Sequence, residues 1–68
     1  MEIVVTDYQK RNFNFTGKSS NGKKVFGSLP NMTMFRAKYE ARAILKNLNG
    51  GHIDIWDSDG AFVCDVEV

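Results

Sequence analysis

Apolar and polar positions change their period along this chain, and each change marks an element. Residues 2–8 are rich in β-branched types (Ile3, Val4, Val5, Thr6) and predict a strand. Phe13, Phe15 and Gly17 then alternate with Asn12, Asn14, Thr16 and Lys18, the period-two pattern of a half-buried strand. Asn21-Gly22 follows and predicts a tight hairpin, because a two-residue type I′ loop needs positive φ at both central positions. That loop length pairs Lys18 with Val25, Gly17 with Phe26 and Phe15 with Ser28. It places Phe13, Phe15 and Phe26 on one face, with Gly17 leaving room for the Phe26 ring, and Lys18, Lys23 and Val25 on the other. Pro30-Asn31 is expected to end this third strand, since proline cannot donate to a ladder.

Residues 34–48 switch to helical period. Met34, Ala37, Ala41, Ile44, Leu45 and Leu48 form an apolar stripe, Thr33 is a good N-cap, and Asn49-Gly50-Gly51 is a left-handed stop. Residues 52–68 read as a second hairpin about Asp59-Gly60. Its expected inner face is Ile53, Ile55, Phe62, Cys64, Val66 and Val68. The prediction is one α+β domain over residues 1–68. A single helix packs on a mostly antiparallel sheet, in the order β-β-β-α-β-β.

The run FNFTGKSSNGKKVFGS (residues 13–28), followed by a helix carrying Ala37 and Ala41, resembles the small YegP-like bacterial and archaeal modules over residues 13–48. Those modules show an aromatic strand, a basic residue, an Asn-Gly turn, an apolar strand, a serine and an alanine-bearing helix. Where they carry an aromatic residue just before the helix, this chain has Asn31 and Met32. The resemblance implies a hairpin-plus-helix fold. The family brings no established activity with it.

Size and composition narrow the function classes. A chain of 68 residues buries only about 60% of the surface its unfolded form exposes, which leaves little room for a deep pocket. With 43% hydrophobic and 25% charged residues it is an ordinary folded composition. Cys64 is the only cysteine, so no internal disulfide forms, and a reducing compartment is expected. The N-terminal run, with an acid at its start and only a short apolar stretch, is not expected to be a signal peptide, and no apolar stretch approaches the ~20 residues that span a bilayer. The expectation is a cytoplasmic protein with no membrane association.

A near-neutral total hides a lopsided charge map. All nine basic residues and one acid, Glu40, fall between residues 8 and 46, whereas residues 47–68 hold five acids and no Lys or Arg. Such asymmetry points to charged partners or to head-to-tail self-association. Lys18, Lys23, Lys24, Arg36, Lys38, Arg42 and Lys46 are the candidate phosphate-binding set for a nucleic-acid module. Against it, the helix cations and the hairpin lysines are expected on opposite sides of the domain, and the phenylalanines are expected in the core. The ordinary reading of these lysines is solvated surface.

The acidic hairpin is the more specific signal. A turn at Asp59-Gly60 sets Asp54 opposite Asp65, Trp56 opposite Val63 and His52 opposite Glu67, all on the outer face. Like charges directly opposite in a sheet are destabilising, so this arrangement works against stability. Trp56 ringed by Asp54, Asp57, Asp59, Asp65 and Glu67, with Val63 beside it, has the make-up of an interface anchor for a basic protein surface. The competing reading buries Trp56 under the N-terminal strand or a loop, or shifts the register with a bulge.

Catalytic and metal chemistry find little footing. Asp57-Ser58-Asp59-Gly60 has part of a calcium loop's spacing, but Ile55 and Val66 stand where first and last ligands belong. His52 and Cys64 are expected on opposite faces and cannot act as base and nucleophile. One His and one Cys do not make a zinc site, and no phosphate loop or nucleophile elbow is present. Phe35 and Tyr39, four apart on the helix, are expected to seal it against the sheet, with extension into an interface as the alternative. The expectation is therefore a binding protein without enzymatic activity, metal or cofactor. It acts as a monomer or weak homodimer on another protein, in the manner of a phage or mobile-element inhibitor of a host complex. Nucleic-acid binding and structural self-association are the alternatives.

Overall fold

Two hairpins flank one helix. Strands β1 (Arg11–Ser19) and β2 (Lys24–Met32) form the first, α1 (Met34–Asn47) follows, and β3 (Gly51–Asp57) and β4 (Phe62–Glu67) form the second. The computed structural model describes residues 9–68. In it every strand pairing is antiparallel and the sheet order is β2-β1-β3-β4. The α+β class and the single helix agree with the sequence pattern. The order among the described residues is β-β-α-β-β rather than β-β-β-α-β-β, and the strand expected over residues 2–8 lies outside the described residues.

The helix forms where the period predicts. The Thr33 hydroxyl accepts from the Arg36 N–H at 3.2 Å, satisfying one otherwise unpaired first-turn donor. Asn49 at φ 66° then ends it: the Asn49 N–H donates to the Lys46 carbonyl at 3.2 Å and the Gly50 N–H to the Leu45 carbonyl at 2.7 Å. These two bonds make a Schellman stop, with asparagine in the left-handed position. Ala37, Ala41 and Leu45, one above another, are completely buried. They meet Phe13, Phe15, Leu29, Ile53, Ile55 and Val66 from the sheet, and this is the core. Phe35 and Tyr39 do not seal the helix. They stand 50% and 59% exposed beside a stripe whose small alanines already allow close approach.

The first hairpin corrects the expected register by one residue. The Ser19 N–H donates to the Lys23 carbonyl at 2.8 Å and the Gly22 N–H to the Ser19 carbonyl at 2.9 Å, so Ser20-Asn21-Gly22 forms a three-residue loop. Gly22 takes φ 91°, the usual place for glycine in such a loop. Ser19 favours this longer loop: its hydroxyl donates to the Asn21 side-chain oxygen and accepts from the Lys23 N–H. Gly17 therefore pairs with Val25, Thr16 with Phe26 and Phe15 with Gly27. A one-residue slip turns every side chain of the later strand to the other face. Val25 packs on the core, and Phe26, expected inside, is 78% exposed. Gly27, not Gly17, faces the Phe15 ring, while Gly17 lies so close to the His52 carbonyl that a Cβ would overlap it.

The second hairpin uses the same loop chemistry. The Asp57 N–H donates to the Ala61 carbonyl at 2.9 Å, Gly60 takes φ 87°, and the Asp57 carboxylate accepts from the Asp59 and Ala61 N–H groups. Here a bulge absorbs the extra residue. Trp56 pairs with Phe62 instead of Val63, and from Ile55↔Cys64 onward the expected register is restored. Phe62 thus moves to the outer face (54% exposed) and Val63 packs toward the core, the reverse of the expected placements. Val68, expected inside, is 48% exposed just past the last strand. Nor does Pro30 end β2, which runs on to Met32. Among the described residues β2 is an edge strand, where a missing donor costs little, and Asn31 at φ 53° lies in a bulge with its N–H on the Asn12 side-chain oxygen.

Candidate functional site

The helix covers one face of the sheet, and among the described residues no element packs on the other. Pairing registers lay out this open face as three rows across β2, β1, β3 and β4. The first row is Lys24, Lys18, His52 and Glu67. The second is Phe26, Thr16, Asp54 and Asp65. The third is Ser28, Asn14, Trp56 and Phe62. Read across the strands, the face grades from basic on β2 and β1 to acidic on β3 and β4.

The acidic half holds the expected pairs. Asp54 lies directly across from Asp65, and His52 from Glu67. His52 meets both aspartates at one atom: its Nε2 lies 2.8 Å from Asp54 Oδ1 and 3.5 Å from Asp65 Oδ2. The hydrogen bond to Asp54 raises the imidazole pKa above its ordinary value; desolvation works against this rise, and the nearby charges of Asp54, Asp65 and Glu67 add to it. One row away, Trp56 and Phe62 stack edge to face at 5.3 Å between centroids. The bulge that displaces Val63 is what brings the Phe62 ring there.

Not every expected contact residue joins this half. Asp57 is half-buried, and its carboxylate is committed to the turn. Asp59 is exposed at the loop tip, one row beyond the aromatic pair. Val63 faces the core. Asp54, Asp65, Glu67 and Trp56 do share the open face, and His52 and Phe62 belong with them.

The basic set is divided. Lys18 and Lys24 stand opposite one another on the open face, next to Phe26. Lys23 follows the loop, exposed. Arg36, Lys38, Arg42 and Lys46 are on the helix, behind the sheet, where Arg36 pairs with Glu40 at 2.8 Å and lies over the Tyr39 ring. A shallow depression of about 540 Å³ crosses the middle of the open face, lined by Lys18, Lys24, Phe26, His52 and Asp54 among others. Cys64 pairs with Ile55 on the helix side, so no thiol meets the imidazole.

No protein family, curated protein or solved structure matches this chain. No helix among the described residues is long and apolar enough to cross a membrane.

Proposed function

We propose that this protein is a non-catalytic binding module that recognises a basic surface of another protein through the acidic half of its open sheet face. The supporting observation is the adjacency of an opposed carboxylate pair, Asp54 and Asp65, and a partly exposed aromatic pair, Trp56 and Phe62. Opposed like charges cost stability, and an exposed aromatic pair gains little from water. A partner bearing lysine or arginine removes both penalties. It neutralises the carboxylates and covers the rings, with the indole as anchor. Carboxylates set on a rigid sheet also occupy positions that phosphates take in a nucleic-acid groove. An inhibitor that competes for such a groove on a host complex fits this chemistry.

The test is capture from nuclease-treated bacterial lysate by the wild type and by a Trp56→Ala, Asp65→Lys variant whose folding is verified by circular dichroism. One dominant basic protein, retained by the wild type and lost by the folded variant, supports this function. Equal retention by both excludes the acidic half as the interface.

The outward position of Phe26 favours a second reading. An exposed ring flanked by Lys18 and Lys24 has the elements of a single-stranded nucleic-acid platform, with stacking on the ring and phosphates on the ammonium groups. In that case affinity falls steeply with salt, and Phe26→Ala with Lys24→Glu abolishes it. The acidic half of the same face opposes extended phosphate tracking, which places this reading second.

A further inference from the structure

We propose that His52, Asp54 and Asp65 form a site for a divalent cation of the zinc class on the open face of the sheet. Strand geometry assembles it. Residues two apart share a face, which sets His52 beside Asp54, and the β3–β4 register sets Asp65 directly across from Asp54. One nitrogen and two carboxylate oxygens converge, all within 4.8 Å of one another. Bonds of about 2.0–2.2 Å to a single ion span such a set after a small rotamer adjustment.

What separates this cluster from an ordinary acidic patch is the nitrogen between the carboxylates. His52 Nε2 approaches both Asp54 Oδ1 and Asp65 Oδ2. A neutral imidazole has one proton or one lone pair to offer there, so it serves one carboxylate and leaves the charge of the other uncompensated. The ion pairs of Asp54 and Asp65 among the described residues are to His52 alone, and residues 47–68 contain no Lys or Arg. A cation placed between Nε2 and the two carboxylates bonds to all three atoms at once and removes the opposed charge. It takes the Nε2 lone pair, so it competes with protonation of the imidazole.

The donor set selects the ion. An imidazole nitrogen with carboxylates suits Zn²⁺, Co²⁺ and Ni²⁺, whereas Ca²⁺ and Mg²⁺ take all-oxygen cages. Exposure leaves the remaining coordination positions to water. The cation site stands on its own residues and does not require that the face also bind a protein.

The experiment uses the full chain without an affinity tag, stripped with chelator and titrated with Zn²⁺ by calorimetry near neutral pH in excess Mg²⁺. The expected result is one ion per chain, and amide NMR shifts centred on His52, Asp54 and Asp65. Affinity falls about tenfold or more in His52→Gln and in Asp65→Asn, and it weakens at pH about 5.5, where the imidazole holds its proton. Cys64→Ser leaves it unchanged. Absence of saturable binding overturns the proposal. So does binding that survives His52→Gln or disappears with Cys64→Ser, and both variants are checked for folding by circular dichroism.

Discussion

Asp54 and Asp65 face each other across β3 and β4, and the Nε2 atom of His52, 2.8 Å from the first and 3.5 Å from the second, is the one basic-side-chain nitrogen within ion-pair distance of them among the described residues. The Asp54 hydrogen bond, aided by the surrounding carboxylates, raises the His52 pKa. The folded pKa therefore lies above the unfolded value of about 6.5. The resulting stabilisation is complete below that value and is lost as pH rises through the folded pKa. Urea unfolding of the wild type and of His52→Gln, compared at pH about 5.5 and about 8, should show this component in the wild type alone.

Once His52 is neutral, the facing carboxylates repel. Asp65→Asn should then stabilise the fold, by about 0.2–1 kcal/mol at pH about 8. Denaturant midpoints measured there check this. A loss of stability on substitution would mean that Asp65 has a structural role, and that the face is not strained in favour of binding.

The first-hairpin register predicts opposite fates for two phenylalanines. Phe15, buried against the helix, should cost about 3–5 kcal/mol when replaced by alanine. Phe26, on the open face, should change stability by no more than about 0.5 kcal/mol when replaced by serine. Similar large losses at both positions would restore the two-residue loop and put Phe26 inside.

At Gly17 the β3 backbone lies tight against β1. A Cβ there would stand 2.0 Å from the His52 carbonyl oxygen, and backbone cannot rotate away as a side chain can. Gly17→Ala should destabilise the domain by about 2–3 kcal/mol or prevent folding. Gly60→Ala meets no neighbouring atom and pays only for its positive φ, about 1–2 kcal/mol.

The contrast between the hairpins shows what periodicity carries. The helix was legible because Ala37, Ala41 and Leu45 have one consistent period and both ends have their own stop and start residues. In the first hairpin Val25 and Phe26 are adjacent and both apolar, so either register buries one of them. Hydrophobic alternation therefore does not choose the loop length. The choice comes from the Ser19 hydroxyl, which binds within the loop and favours three residues over two. The second hairpin makes the same three-residue loop, yet its bulge between Phe62 and Cys64 returns the strands to the expected register. The pairs Asp54–Asp65 and His52–Glu67 therefore follow from the sequence pattern, whereas Phe62, next to the bulge, turns to the opposite face. The convergence of His52 on both aspartates was within reach too, since His52 and Asp54 are two apart on one strand.

Trp56 is the chain's only tryptophan, so fluorotryptophan labelling gives a single ¹⁹F resonance at the proposed interface. The most direct test of binding through the acidic half is to follow that resonance while the captured partner is added. Binding through Trp56, Phe62 and the flanking carboxylates predicts a shifted or broadened signal, lost together with affinity in Asp65→Lys. A partner that binds while the Trp56 resonance stays unchanged would contradict it.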